Sequence, residues 1–160
     1  MRALILADGD APTRDRLDAA WPGWDDDIGL VIAADGGARH AATLGLHLDR
    51  WIGDADSIDL ADLASLEAAG VPIERLARDK DASDTELALR LALDAAPDAV
   101  TVIGAFGGPR LDHAMANLGL PTLADVGHVP VVLLSDTARV GWLRAPYASG
   151  APARITRPVR

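Results

Sequence analysis

Short apolar runs alternate along this chain with longer segments whose apolar positions recur at helical spacing. Residues 3–7, 29–34, 71–76, 99–104 and 129–135 predict strands, with a weaker strand ending at Gly53. Residues 12–20, 37–45, 59–69, 84–95 and 112–125 predict helices, and Pro121 should kink or split the last of them. Strands that alternate with helices imply crossover units. The expected architecture is therefore an α/β domain: a mainly parallel sheet of about six strands with helices on both faces, in three α/β/α layers. Val140-Gly141-Trp142-Leu143 is a candidate for one more strand. Beyond it, Pro146, Gly150, Pro152 and Pro158 interrupt any period, so residues 1–144 are expected to form the domain. Residues 145–160 are expected to be an irregular tail or the start of a truncated C-terminal region.

A length of 160 residues with 49% hydrophobic content suits one domain with a real core. The balance of 15 Lys+Arg against 24 Asp+Glu, net −9, argues against a nucleic-acid partner, which needs a basic surface. A small phosphorylated ligand needs only local positive charge and is not excluded. The chain has no cysteine, so disulfides, thiolate metal sites and a cysteine nucleophile are ruled out. The apolar N-terminal run is too short for a signal peptide and no later segment reaches membrane-spanning length. A soluble, cytoplasmic protein with no membrane partner is expected.

The polar motifs fall where predicted strands end, on the edge of an open α/β sheet where ligands bind. Asp35-Gly36-Gly37-Ala38 follows residues 29–34, and its glycines would let backbone N–H groups approach a phosphate, or simply serve a tight turn needing positive φ. Ala7-Asp8-Gly9-Asp10 is a weaker version, read as an ordinary acidic turn. In Gly53-Asp54-Ala55-Asp56-Ser57, two carboxylates at i and i+2 can point the same way and share a hard cation such as magnesium; alternatively the segment is a turn in which Ser57 caps the next helix. Lys80, Asp81 and Asp84 put a phosphate contact beside further carboxylates, while Ser83 and Glu86 form a capping box for the helix beginning near Asp84. The loop Gly104 to His113 adds Gly107 and Gly108 to cradle phosphate, Arg110 to bind its oxygens, and Asp112-His113 opening a helix with Asn117 a turn further on. His40, His47 and His128 have no partners at metal-ligand spacing. The four tryptophans do not share a period and are read as core or edge packing.

Taken in order, Asp35-Gly36-Gly37-Ala38, Gly53-Asp54-x-Asp56-Ser57, Lys80-Asp81-x-Ser83-Asp84-x-Glu86 and Gly107-Gly108-x-Arg110-x-Asp112-His113 with Asn117 resemble the catalytic domain of thiamine pyrophosphokinase over residues 3–143. The resemblance implies magnesium-dependent transfer of diphosphate from ATP to thiamine, giving thiamine diphosphate and AMP, in a homodimer. It implies Asp54, Asp56 and Asp84 as metal ligands with Asp81 beside them, and Lys80 and Arg110 as phosphate contacts. It places Asp35, Gly36 and Gly37 in the nucleotide pocket, and Gly107, Gly108, Asp112, His113 and Asn117 in the signature of the active-site loop. Two departures stand out. Pro109 separates Gly108 from Arg110, where the family pattern runs directly from glycine to arginine. The family also continues into a C-terminal β-sandwich that helps form the thiamine pocket and is absent from this sequence, so a truncated or split protein, or a domain turned to another use, is expected. The readings left beside it are a diphosphokinase for another hydroxymethyl acceptor such as a pterin, and a nucleotide-binding module without turnover.

Overall fold

The computed structural model describes residues 1–77 and 81–142. Its sheet is built from β1 (Arg2–Leu6), β2 (Ile28–Ala34), β3 (Arg50–Gly53), β4 (Ile73–Arg75), β5 (Ala99–Ile103), β6 (Val131–Leu134) and β7 (Arg139–Gly141). The strand order is β4-β3-β2-β1-β5-β6-β7. All neighbours are parallel except β7, which runs antiparallel to β6 with Val140 opposite Leu133. The expected count of about six strands thus becomes seven among the described residues. Leu143, the boundary at residue 144 and the tail at 145–160 lie outside the described residues.

The helices are α1 (Arg14–Ala20), α2 (Arg39–Leu44), α3 (Leu60–Ala68), α4 (Asp84–Asp94) and α5 (Leu111–Gly119). Side chains alternate across a strand, and β1 shows what that does in a sheet covered on both faces. Ala3 and Ile5 point to one side, where Ala88, Leu89 and Ala92 of α4 cover them. Leu4 and Leu6 point to the other, against Leu17 of α1, Leu44 of α2 and Leu63 of α3. Both faces are dry, which is why the strands read as continuous apolar runs rather than alternating ones.

The helix expected over 112–125, with a kink or split at Pro121, is broken there. α5 ends at Gly119 and two 3-10 turns follow, Leu120–Thr122 and Ala124–Val126, because proline lacks the N–H and its ring clashes with the preceding turn. Ser83 caps α4 through its hydroxyl, which accepts from the Glu86 N–H at 3.2 Å. The other half of the expected capping box is replaced: the Glu86 carboxylate accepts from Arg90 at 2.8 Å, one turn on. Trp51 and Trp24 are buried as core residues, whereas Trp142 is 64% exposed. Among the described residues no helix is long and apolar enough to cross a membrane.

Sheet order positions the site. The chain leaves β1 outward through β2, β3 and β4, then α4 returns across the sheet and β5 is laid on the opposite side of β1. Connections diverge there, so a crevice opens at the carboxyl ends of β1 and β5.

Candidate functional site

Three carboxylates converge at that edge. Asp35 follows β2, Asp54 follows β3, and Asp84 opens α4. Each offers an oxygen within 4.8 Å of those of the other two. Asp35 is 3% exposed and adopts a left-handed φ of 43° at the start of a 3-10 turn. Its carbonyl accepts from the Trp51 indole at 3.0 Å and its Oδ2 accepts from the Ser57 N–H at 2.9 Å. Its Oδ1 is buried and accepts no hydrogen bond from any described residue. Burial pushes the Asp35 carboxyl up to about 6; the Ser57 N–H opposes this, while Asp56 and the negative charge of Asp84 add to it. A buried carboxylate oxygen without a donor, facing two more carboxylates, fits a hard divalent cation: oxygen donors are its preferred partners and it would satisfy the orphaned lone pairs.

This group differs from the expected one, Asp54, Asp56 and Asp84. Ala55, at a φ of 64°, lies between the two aspartates, and Asp56 lines the same cleft, where its side chain adds to the raising of the Asp35 carboxyl. The Asp54 side chain accepts from the Asp56 N–H at 3.1 Å, and the exposed Asp56 carboxylate accepts from the Ser57 hydroxyl at 2.9 Å. Asp35, expected in the nucleotide pocket, takes the third place in the cluster. Ser57 serves Asp35 and Asp56 rather than capping α3, whose N-cap is Asp59.

The cluster lies in a cleft of about 520 Å³ whose other wall is the loop after β5, including Gly104, Gly107, Gly108, Pro109 and Arg110. Gly104, Gly107 and Gly108 all have φ near 75°, namely 75°, 73° and 74°, which side chains rarely adopt. This loop is laced to the turn after β1: the Gly9 N–H donates to the Gly104 carbonyl at 2.8 Å and the Asp10 N–H to the Phe106 carbonyl at 2.7 Å. Gly36 and Gly37 are different. Both are buried, and a Cβ on them would meet Asp8 Oδ1 at 2.2 Å and the Leu6 carbonyl at 2.1 Å. The missing side chain of Gly36 makes room for Asp8 and Ser57 and that of Gly37 for the end of β1, and the positive φ of this turn sits on Asp35 rather than on either glycine.

Arg110 lies on the cleft wall and donates through Nε and Nη2 to both oxygens of Asp112, at 2.9 and 2.6 Å. The pairing holds the Asp112 carboxyl well below the usual carboxylate range and raises Arg110. Asp112 is exposed and turned to Arg110, whereas His113 lines the cleft. Asn117 is buried, and its amide donates to the Ala105 carbonyl at 3.0 Å, which braces the glycine loop from behind. Asp81 is an exposed part of the wall; Lys80 lies outside the described residues.

Six aspartates, Asp8, Asp35, Asp54, Asp56, Asp81 and Asp84, line the cleft with Arg110 as the arginine among the described lining residues. Such a wall repels a polyphosphate unless a divalent cation is shared between them. Asp8 and Gly9, which read from sequence as an ordinary acidic turn, and Arg39 and His40, which carry no role in the sequence reading, stand at this wall. Arg39 pairs with Asp8, and His40 meets the Gly9 carbonyl through Nε2 at 2.9 Å. Position after a strand was the available signal for Asp8; its place at the crevice depends on sheet order.

Residues 24–132 match the family model described as "Thiamin pyrophosphokinase, catalytic domain". Thiamine pyrophosphokinase of Bacillus subtilis (strain 168) is 33% identical over 98 residues, which is 61% of this chain and 45% of that protein. The crystal structure of thiamine pyrophosphokinase from Bacillus subtilis superposes with a TM-score of 0.68 at 27% identity, covering 84% of this chain and 60% of that one. That of a thiamin pyrophosphokinase family protein from Enterococcus faecalis does so with a TM-score of 0.69 at 28% identity, covering 87% and 63%. The chain therefore spans less than half of the curated relative, 45%, and about three fifths of these solved structures, 60% and 63%.

Proposed function

The chain belongs to the thiamin pyrophosphokinase catalytic-domain family, and on that premise we propose that it serves magnesium-dependent transfer of diphosphate from ATP to thiamine, yielding thiamine diphosphate and AMP. The observation that carries the reading is the convergence of Asp35, Asp54 and Asp84 within 4.8 Å beside the glycine loop. Magnesium shared by these carboxylates and the phosphate oxygens would neutralise the polyphosphate and draw charge from the transferring group.

The protein's own residues do the rest by placement. The positive-φ glycines 104, 107 and 108 shape a loop that the phosphate chain can approach without meeting a side chain. Arg110, on an exposed stretch of the wall, exchanges Asp112 for phosphate oxygens, and its fork suits them bidentately. The acceptor hydroxyl loses its proton to a cleft carboxylate outside the cation-binding group as it attacks the β-phosphorus, and the bond from that phosphorus to the oxygen bridging to the α-phosphate breaks, so that AMP leaves with the electron pair. Fixed reactants and fixed dipoles supply most of the acceleration in such a transfer. Cytoplasmic location and assembly as a homodimer accompany this reading. Leu111, Met115 and Leu118, 73%, 65% and 45% exposed at helical spacing on α5, support the dimer by offering an apolar stripe.

An AMP-release assay with ATP, magnesium and thiamine tests the reading. Formation of AMP and thiamine diphosphate, lost in Asp54→Asn, is the expected result. Nucleotide binding without AMP release would point to a binding module instead, and AMP release only with a hydroxymethylpterin would point to a different acceptor.

A further inference from the structure

Arg39, the first residue of α2, does not line the cleft, yet its guanidinium engages two of the turns that build it. Nη1 pairs with the Asp8 carboxylate and donates to the Gly36 carbonyl at 2.8 Å. Nη2 donates to the carbonyls of Asp8 and of Gly9, the latter at 3.2 Å, and His40 reaches the same Gly9 carbonyl. Gly36 follows Asp35 directly, and Gly9 and Asp10 are bonded through their N–H groups to Gly104 and Phe106 of the glycine loop. One side chain thus ties the turn carrying Asp35 to the turn after β1, and through it to the glycine loop. Asp8 itself is a cleft-lining carboxylate outside the converging group of Asp35, Asp54 and Asp84.

We propose that Arg39 is a positioning residue of the nucleotide site, which cancels the Asp8 charge on the cleft wall and fixes the spacing between Asp35 and the glycine loop. The proposal rests on the reading that this cleft receives magnesium and nucleotide. Without Arg39, Asp8 would add an uncompensated negative charge to a wall already rich in carboxylates, at the place a polyphosphate must pass. Asp8 and Arg39 are 42% and 49% exposed, and pairs so placed add little to stability. Loss of Arg39 should therefore be read in ligand affinity far more than in melting temperature.

Magnesium-ATP binding is measured by calorimetry for the wild-type chain, Arg39→Gln, Asp8→Asn and the double variant, together with hydrogen exchange at the Gly9 and Asp10 amides. Arg39→Gln should bind about tenfold more weakly with a nearly unchanged melting temperature, and adding Asp8→Asn should recover affinity to within about threefold of wild type. Exchange at both amides should quicken in Arg39→Gln even without ligand. The proposal is overturned if Arg39→Gln binds within about twofold of wild type, or if the double variant binds no better than the single one. Should the wild-type chain itself not bind magnesium-ATP, the nucleotide reading fails. In that case faster exchange in Arg39→Gln still upholds the tie between the loops, and unchanged exchange removes it too.

Discussion

Gly53 and Asp35 touch at the carboxyl ends of neighbouring strands: a Cβ on Gly53 would stand 2.9 Å from the Cβ of Asp35 and 3.0 Å from its Cα. The bare glycine lets the left-handed Asp35 sit down against β3 and direct its carboxylate toward Asp54 and Asp84. Gly53→Ala should cost about 1–3 kcal/mol through overpacking and displace Asp35 from the cluster. Thermal melts with and without magnesium check this, because stabilisation by the ion should shrink along with the melting temperature. Gly119→Ala, where nothing lies within 4 Å, is the control and should be neutral or stabilising.

Charge removal should separate the converging carboxylates from their neighbour. Asp54→Asn and Asp84→Asn should each weaken magnesium-dependent nucleotide binding by about tenfold or more, since each takes a charged oxygen from the group. Asp56→Asn should have a smaller effect, because Asp56 stands beside the group and accepts from Ser57. Calorimetric titration decides it: equal losses for Asp54→Asn and Asp56→Asn would restore the ligand set expected from sequence.

Asp35 links the site to pH. Its carboxyl is raised from 3.8 to about 6 in the fold, chiefly by burial, so the folded state holds that proton more tightly than the unfolded state does. The associated stability is fully present below about pH 4 and is lost as pH rises through about 6. Asp35→Asn removes the cost of a buried charge, and Asn tolerates the left-handed φ. The metal-free variant should be more stable than wild type at pH 7 by about 1–3 kcal/mol, with the gap closing near pH 4. Denaturant melts across that range test the sign. Added magnesium should stabilise wild type and leave Asp35→Asn unmoved.

Capping and chemistry are adjacent on α4 and should come apart. Ser83→Ala removes the hydroxyl that accepts from the Glu86 N–H and should cost about 1 kcal/mol of stability. Asp84→Asn should cost less stability and much more nucleotide affinity. If both variants lose affinity in proportion to their melting temperatures, Asp84 is a structural residue alone.

What was legible in the sequence follows from local physics. Continuous apolar runs at β1, β2 and β5, flanked by helical periods, already required a sheet covered on both faces. Pro121 marked where α5 must stop, and Ser83 marked where α4 must start. Asp54 and Asp84 were visible as candidates because carboxylates clustered at strand ends point to a shared cation, although one in the first turn of a helix also suits the helix dipole. Tertiary structure decided the rest. Asp35 joined the cluster through a left-handed turn seated on Gly53, a contact between strands that no spacing along the chain encodes. Gly36 turned out to face Asp8 and Ser57, and Gly37 the end of β1 at Leu6. Arg39 met the Asp8 turn because β2 lies beside β1, and that turn met the glycine loop because β5 lies on the other side of β1. That placement is a long-range pairing, and the amino-acid pattern fixes only which segments pair well, whereas the order in which they lie side by side is set by how all the faces bury together.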